Sequence, residues 1–249
     1  MPIDDVAARG FEAGAAAYEI ARPGYPDDAV GAVRDAGGVG PGTRVLDLAA
    51  GTGKLTRRLV ELGAAVVAVE PVAAMRGQLA LVLPDVDVVD GSAEEIPADD
   101  DSVDVVTVAQ AFHWFDAPRA LDEIARVLRP GGRLVLLWNE RDETTPWVAE
   151  MSRLISWHER TVSRYQHVSW PEIVGSSGRF GPLDERVITW DQPMTRELLG
   201  DRVRSISYIA AMSAPQREKL VAEVVHLARR LAEPFALPYV CRVQWAPLL

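Results

Sequence analysis

Apolar and polar positions alternate most regularly between residues 42 and 141. Residues 43–50, TRVLDLAA, are apolar apart from Asp47 and Arg44 among the longer side chains, and read as a buried strand. Leu55, Leu59 and Leu62 follow at helical spacing, and Gly63 is the stop. The alternation repeats with a strand at 64–70 that ends on Glu70, a helix at 72–83, and strands at 86–90 and 102–110. A helix at 118–128 has Pro118 in its first turn and Leu121, Ile124 and Leu128 on one face. Pro130-Gly131-Gly132 ends it, and RLVLLWN at 133–139 is a fifth strand. Buried strands separated by helices predict an α/β fold with a doubly wound, mostly parallel sheet.

The flanks are less regular. Residues 1–35 read as helical, broken at Arg22-Pro23-Gly24-Tyr25-Pro26. Residues 144–178 are helical and aromatic, with Trp147, Trp157, Tyr165 and Trp170. Strands are predicted at 186–192 and 239–245, and the longest helix at 215–233. The chain is therefore expected to form a single domain over 1–249, with a core at 42–141, a helical insertion at 142–180 over the active edge of the sheet, and 181–249 completing the sheet. Ligands of such sheets gather at the carboxyl ends of the strands, near the switch in strand order. That singles out Asp47 to Lys54, Glu70, Asp90 to Ala93, Gln110 to Phe115 and Asn139.

Composition narrows the function classes. The 249 residues carry 26 Lys and Arg against 36 Asp and Glu, a formal net charge of −10, and 48% are apolar. Those are globular proportions. The acidic balance argues against nucleic acid as a partner, since such binding leans on cations that neutralise phosphates. No apolar run approaches the roughly 20 residues of a spanning helix, so no membrane partner is expected. The start, MPIDDVAARG, lacks the basic and apolar regions of a signal peptide. One cysteine, Cys241, excludes an internal disulfide and points to the cytoplasm. The four histidines lack zinc-type pairing, so no metal site is expected.

The run Asp47-Leu48-Ala49-Ala50-Gly51-Thr52-Gly53-Lys54 carries the chemistry. Small residues after a strand let the backbone approach a ligand closely. A phosphate-binding P-loop would need glycine at Leu48 and Ser or Thr at Leu55. A dinucleotide fingerprint read from Gly51 and Gly53 would need glycine at Thr56. What fits is an acid followed by small residues at two-residue spacing: Asp47, Ala49, Gly51, Gly53.

In this the chain resembles class I S-adenosylmethionine-dependent methyltransferases, whose first motif is an acid followed by G-x-G-x-G; Ala49 stands where the first glycine belongs. The run Phe112-His113-Trp114-Phe115-Asp116, the later Leu128-Arg129-Pro130-Gly131-Gly132, and Tyr18 with Arg22 to Pro26 resemble the group that includes trans-aconitate methyltransferase. Enzymes of quinone pathways are more distantly similar. The resemblance covers residues 10–141. It implies a seven-stranded Rossmann-like sheet with the last strand antiparallel, S-adenosylmethionine as cofactor, and an N-terminal helix folded over it as a lid.

It also implies site roles. Glu70, followed by Pro71, would hold both ribose hydroxyls, since a carboxylate accepts two hydrogen bonds. An NAD enzyme would use the same device. Ser92 or the backbone of Ala93 would meet the adenine, and Asp47, Ala49, Gly51, Thr52, Gly53 and Gln110 would line the cofactor site. Arg22 could pair with the methionine carboxylate or with an acidic acceptor. Tyr18, Phe112, Trp114 and Phe115 are candidate aromatic walls for a sulfonium, Phe112 and Phe115 being equally readable as core. His113 has three readings: a base, a donor orienting the acceptor, or a structural residue. His158, Arg160, Arg164 and His167 could meet an anionic acceptor or form a solvated helix face. The resulting expectation is methyl transfer to a small organic acceptor at a carboxylate or hydroxyl oxygen, with His113 and Trp114 at the reacting end. A nicotinamide-dependent oxidoreductase and a non-catalytic cofactor-binding module remain open alternatives, as does monomer or homodimer.

Overall fold

In the computed structural model, residues 19–157 and 169–249 are described. Tyr18 and the four insertion residues His158, Arg160, Arg164 and His167 lie outside them. Helix α1 (Asp27–Gly37) follows the Arg22–Pro26 turn, and α2 (Lys54–Glu61) follows strand β1 (Arg44–Leu48). Then come β2 (Ala65–Val69), α3 (Ala73–Val82), β3 (Asp87–Val89), β4 (Val103–Ala109), a 3₁₀ turn at Phe112–Trp114, α4 (Ala117–Val127) and β5 (Leu128–Arg141). The rest is α5 (Pro146–Leu154), α6 (Trp170–Ser176), β6 (Asp184–Met194), α7 (Arg196–Arg204), α8 (Ser207–Ala210), α9 (Ala214–Leu227) and β7 (Phe235–Pro247).

Seven strands form one sheet in the order β3-β2-β1-β4-β5-β7-β6. The first five are parallel, and β7 runs antiparallel to both β5 and β6. The chain moves outward from β1 to β3, then returns to lay β4 on the other side of β1. That reversal opens a crevice between the ends of β1 and β4.

Side chains alternate between the two faces of a strand. Val45, Val105, Val135 and Leu137 pack with Ala29 and Val33 of α1 and Leu55 and Leu59 of α2. Leu46, Leu48, Val106, Val108, Leu134 and Leu136 face the opposite layer, with Leu121 and Ile124 of α4, Val148 of α5, Val174 of α6, Val203 of α7 and Val224 of α9. Covering both faces explains why the strands read as near-continuous apolar runs.

Several elements differ from their prediction, among them the helix expected at 215–233, which ends at Leu227. Leu128 ends the helix predicted at 118–128 but pairs with Val103, so that helix stops at Val127. The register then jumps to Val105 opposite Arg133, and Arg129 to Gly132 form a bulge. A Cβ on Gly132 would lie 2.8 Å from the Arg129 carbonyl, so the turn excludes any side chain there. The helices α7 and α8 have no counterpart in the sequence prediction. Five of the nine α7 residues are charged, and its apolar stripe is only Leu199 and Val203. Thr195 caps it by accepting the Leu198 N–H at 3.1 Å.

Asp47 faces the α2 side of β1 and is 1% exposed. Its two carboxylate oxygens accept from the Thr56 hydroxyl at 2.6 Å and the Thr107 hydroxyl at 2.7 Å. Thr107 is its register partner on β4, and Thr56 lies in α2. One side chain thus ties β1, β4 and α2 together where the crevice opens. Burial pushes the carboxyl up to about 6 against the opposing pull of the two hydroxyls.

Two predictions follow from this local structure. Ala49 has φ 55°, a left-handed conformation that favours glycine. Ala49→Gly is expected to raise stability by up to about 1 kcal/mol, or about 2–4 °C in melting temperature. A fall would mean that the methyl packs better than its dihedral suggests. For Asp47 the folded pKa lies above the unfolded one, so the folded state binds more protons between about pH 4 and 6. Stability tied to Asp47 is therefore greatest below that window and declines as pH rises through it, by up to about 3 kcal/mol. Denaturant titrations should show wild type losing stability relative to Asp47→Asn from pH 4 to 7; parallel profiles would refute the assignment.

Candidate active site

A cleft with a cavity of about 80 Å³ opens at the carboxyl ends of β1, β4 and β5. Its wall begins with Asp47, Ala49, Gly51, Thr52 and Lys54, continues through Ala109, Gln110 and Asn139, and is closed by Arg22, Tyr25 and Arg202. The loop after β1 is shaped for close approach. Ala49, Gly51 and Gly53 all have positive φ, and a Cβ on Gly53 would sit 3.0 Å from Leu79 of α3. Gln110, at the end of β4, is also left-handed, with φ 58°. Two non-glycine residues in this conformation on neighbouring strand ends mark local backbone strain at the crevice.

Glu70 ends β2 beside the loop and is 4% exposed. Its oxygens accept the Gly51 N–H at 2.9 Å and the Val72 N–H at 2.8 Å, so Gly51 is held by the acid predicted to share its ligand. Burial raises its pKa against the pull of those two N–H donors and Arg76. Pro71 beside it is exposed. Ser92 is half-buried in the turn after β3, and Ala93 is 4% exposed. Glu70, Pro71, Gly53, Ser92 and Ala93 surround the loop without lining the cleft.

The aromatic run lies deeper than the sequence suggests. Phe112 is 1% exposed and meets Phe115 and Trp170 edge-on, at 5.5 and 5.4 Å between ring centres. Trp170 stacks on Trp138 of β5 at 5.1 Å. Phe112 is thus core packing. His113 lies against Trp114 at 4.6 Å and Trp138 at 5.8 Å, and both ring nitrogens are inaccessible to solvent. Burial drives its pKa down to about 3, so the ring is neutral throughout the physiological range. Neither His113 nor Trp114 lines the cleft. A base with that pKa is a poor proton acceptor at pH 7.

Glu19 and Arg202 at the site had not been singled out. Glu19 accepts from the Thr52 hydroxyl at 2.6 Å and pairs with Lys54 and Arg57 at 3.4 and 3.0 Å. Burial alone would raise its pKa, but these three partners hold it below the usual range. It fastens the N-terminal segment to the β1–α2 loop. Arg22 donates to the Ser205 carbonyl at 3.3 Å. Asn139 donates to the Gly24 carbonyl at 3.1 Å and accepts from the Trp190 indole at 2.9 Å. Arg202 is 6% exposed, and its Nε lies 3.4 Å from the Tyr239 hydroxyl. A charged residue on the same helical face as Leu199 and Val203 was the available signal. Among the described residues no group of metal-ligating side chains forms a site, and no helix is long and apolar enough to cross a membrane.

This arrangement matches known proteins. Residues 46–136 match the family model described as a methyltransferase domain. A protein of Mycobacterium tuberculosis described as an uncharacterized methyltransferase is 43% identical over 235 residues, covering 92% of each chain. A demethylmenaquinone methyltransferase of Clavibacter sepedonicus is 33% identical, covering 76% of this chain and 73% of its own. Among solved structures, one described as a methyltransferase from an antibiotic biosynthesis pathway of Anabaena variabilis superposes with a TM-score of 0.67 at 22% identity, covering 92% of this chain and 99% of that one. A Haemonchus contortus phosphoethanolamine N-methyltransferase, solved with S-adenosylhomocysteine, gives 0.61 at 19% identity, covering 100% of this chain and 60% of that one. The glycine-rich crevice, the strand order and these relatives together place the chain in the family of class I S-adenosylmethionine-dependent methyltransferases.

Proposed function

We propose that this methyltransferase acts on a small organic acceptor, at a carboxylate or hydroxyl oxygen, in the half of the cleft beyond Gln110. The observation that carries this reading is the cleft lining. It passes from the β1 loop to amide and guanidinium groups on β4, β5 and α7, and among the described residues it contains no histidine. Both oxygens of Asp47, its acidic member, are already engaged by threonine hydroxyls. A carboxylate needs no base, because it is ionised at pH 7. The likeness of the Phe112–Asp116 run to trans-aconitate methyltransferases favours the same acceptor chemistry.

The residues fit the cofactor. Each Glu70 oxygen accepts one backbone N–H and has capacity for a hydroxyl, which suits a ribose. The left-handed loop leaves space above Gly51, where a Cβ would meet nothing within 4 Å. When bound, S-adenosylmethionine supplies an electrophilic methyl on a cationic sulfur, and the departing thioether is neutral. The protein's part is then alignment and exclusion of water, worth roughly 7–11 kcal/mol at best. In this reading Glu70 holds the ribose, Ser92 and Ala93 border the adenine, and Arg22 pairs with the methionine carboxylate. Residues 1–35 act as a lid, latched through Glu19 and carrying Tyr18, while 142–180 cap the acceptor side. His113 is a positioning residue that supports the wall through Trp114 and Trp138. The acidic balance of the chain favours a small molecule over nucleic acid, in the cytoplasm.

Calorimetric titration with S-adenosylhomocysteine, with NAD as control, tests the cofactor site. We expect micromolar binding of the former alone, weakened about tenfold or more in Glu70→Gln, in line with loss of a charged hydrogen bond. Unchanged affinity in Glu70→Gln would remove the ribose assignment. For His113, a pKa near 3 predicts that His113→Asn changes the rate without removing any inflection between pH 5.5 and 8. An inflection near 6.5 that vanishes in the variant would make His113 the base instead.

A further inference from the structure

We infer that Arg202 is the anchor for a carboxylate on the methyl acceptor, an inference that rests on the cofactor and acceptor halves of the cleft assigned above. Arg202 is 6% exposed and lines the cleft. No carboxylate pairs with it among the described residues, and its Nη1 is buried without a hydrogen-bond partner. Its contact with Tyr239, at 3.4 Å, is a long hydrogen bond to a neutral hydroxyl. The other guanidinium groups of α7, Arg196 and Arg204, are each paired with a carboxylate. A buried cation left unpaired is strongly disfavoured, and a protein that keeps one in a cleft has a use for its field. Gln110 adds a second unpartnered buried donor, its Nε2, in the same lining.

The ligand is identified by charge and position. At the β1 end the lining sets the Asp47 carboxyl beside Lys54, and Glu19 next to it is already paired with Lys54 and Arg57. At the far end Arg202 presents positive charge, which suits an anion. The sheet order sets Tyr239 of β7 four strands from Glu70 at the end of β2, about 19 Å at the usual strand spacing. A cofactor held by Glu70 has only its short methionine arm to extend in that direction, so the anion at Arg202 belongs to the acceptor. A single guanidinium with one amide donor matches the planar fork of a carboxylate.

Sodium acetate serves as the probe, titrated at constant ionic strength against chloride, with acetamide as the neutral isostere and S-adenosylhomocysteine saturating. Acetate is expected to raise the melting temperature by about 3–6 °C at tenfold excess over its dissociation constant, and acetamide to leave it unchanged. In Arg202→Met the acetate shift should vanish, the protein without acetate should melt no lower than wild type, and S-adenosylhomocysteine affinity should stay within about threefold. Arg202→Lys, which keeps the charge without the fork, should reduce the shift and serves if Arg202→Met does not fold. Equal shifts with acetate and acetamide, or an acetate shift that survives in both variants, would overturn the inference. So would a more than tenfold loss of S-adenosylhomocysteine affinity in either variant, which would assign Arg202 to the cofactor's own carboxylate. Absence of S-adenosylhomocysteine binding to wild type is a separate result and would count against the cofactor site itself.

Discussion

A buried carboxylate organises the centre of this protein. Asp47 sits at 1% exposure between two hydroxyls, one from the neighbouring strand and one from the following helix. Parallel strands are joined only through their ladder, and the crevice at a topological switch is where the ladder ends. The Asp47 bonds fasten β1, β4 and α2 at that point. The loop between Asp47 and Lys54 is then short enough that Ala49, Gly51 and Gly53 must all turn left-handed. Ala49 accepts that conformation without glycine's freedom, so the motif survives a departure that looks disruptive in sequence.

The cleft lining brings charges from four parts of the chain: Asp47 at the end of β1, Lys54 at the start of α2, Arg22 from the N-terminal turn, and Arg202 from a helix between β6 and β7. His113 lies outside this lining, packed against Trp114 and Trp138, and burial lowers its pKa to about 3.

The N-terminal segment is stitched to the sheet at three places rather than packed as a loose flap. Glu19 reaches Thr52, Lys54 and Arg57; Gly24 receives Asn139; Arg22 reaches Ser205. Each contact joins it to a different part of the cleft rim. Movement of this segment would therefore be felt at both the loop and the α7 corner.

The strand and helix alternation of residues 42–141, the acid-and-glycine loop and Glu70 are legible in the chain's local pattern. Those features are local: a strand buried on both faces must be apolar along its length, and a tight strand-to-helix turn must use small residues. The family was legible there as a resemblance, carried by the Asp47–Gly53 loop and the Phe112–Asp116 run. The tertiary structure decided what depends on partners distant in the chain. The bulge at Arg129 to Gly132 exists because Leu128 finds Val103. Phe112 became core, and His113 was buried, because Trp138 and Trp170 arrive from two other segments. Helix α7 escaped prediction because five charged residues mask a two-residue apolar stripe, and a short helix draws its stability from packing. That packing is what carries Arg202 into the cleft. No spacing rule can foresee it, since an arginine's solvation is set by what surrounds it in space rather than by its neighbours in sequence.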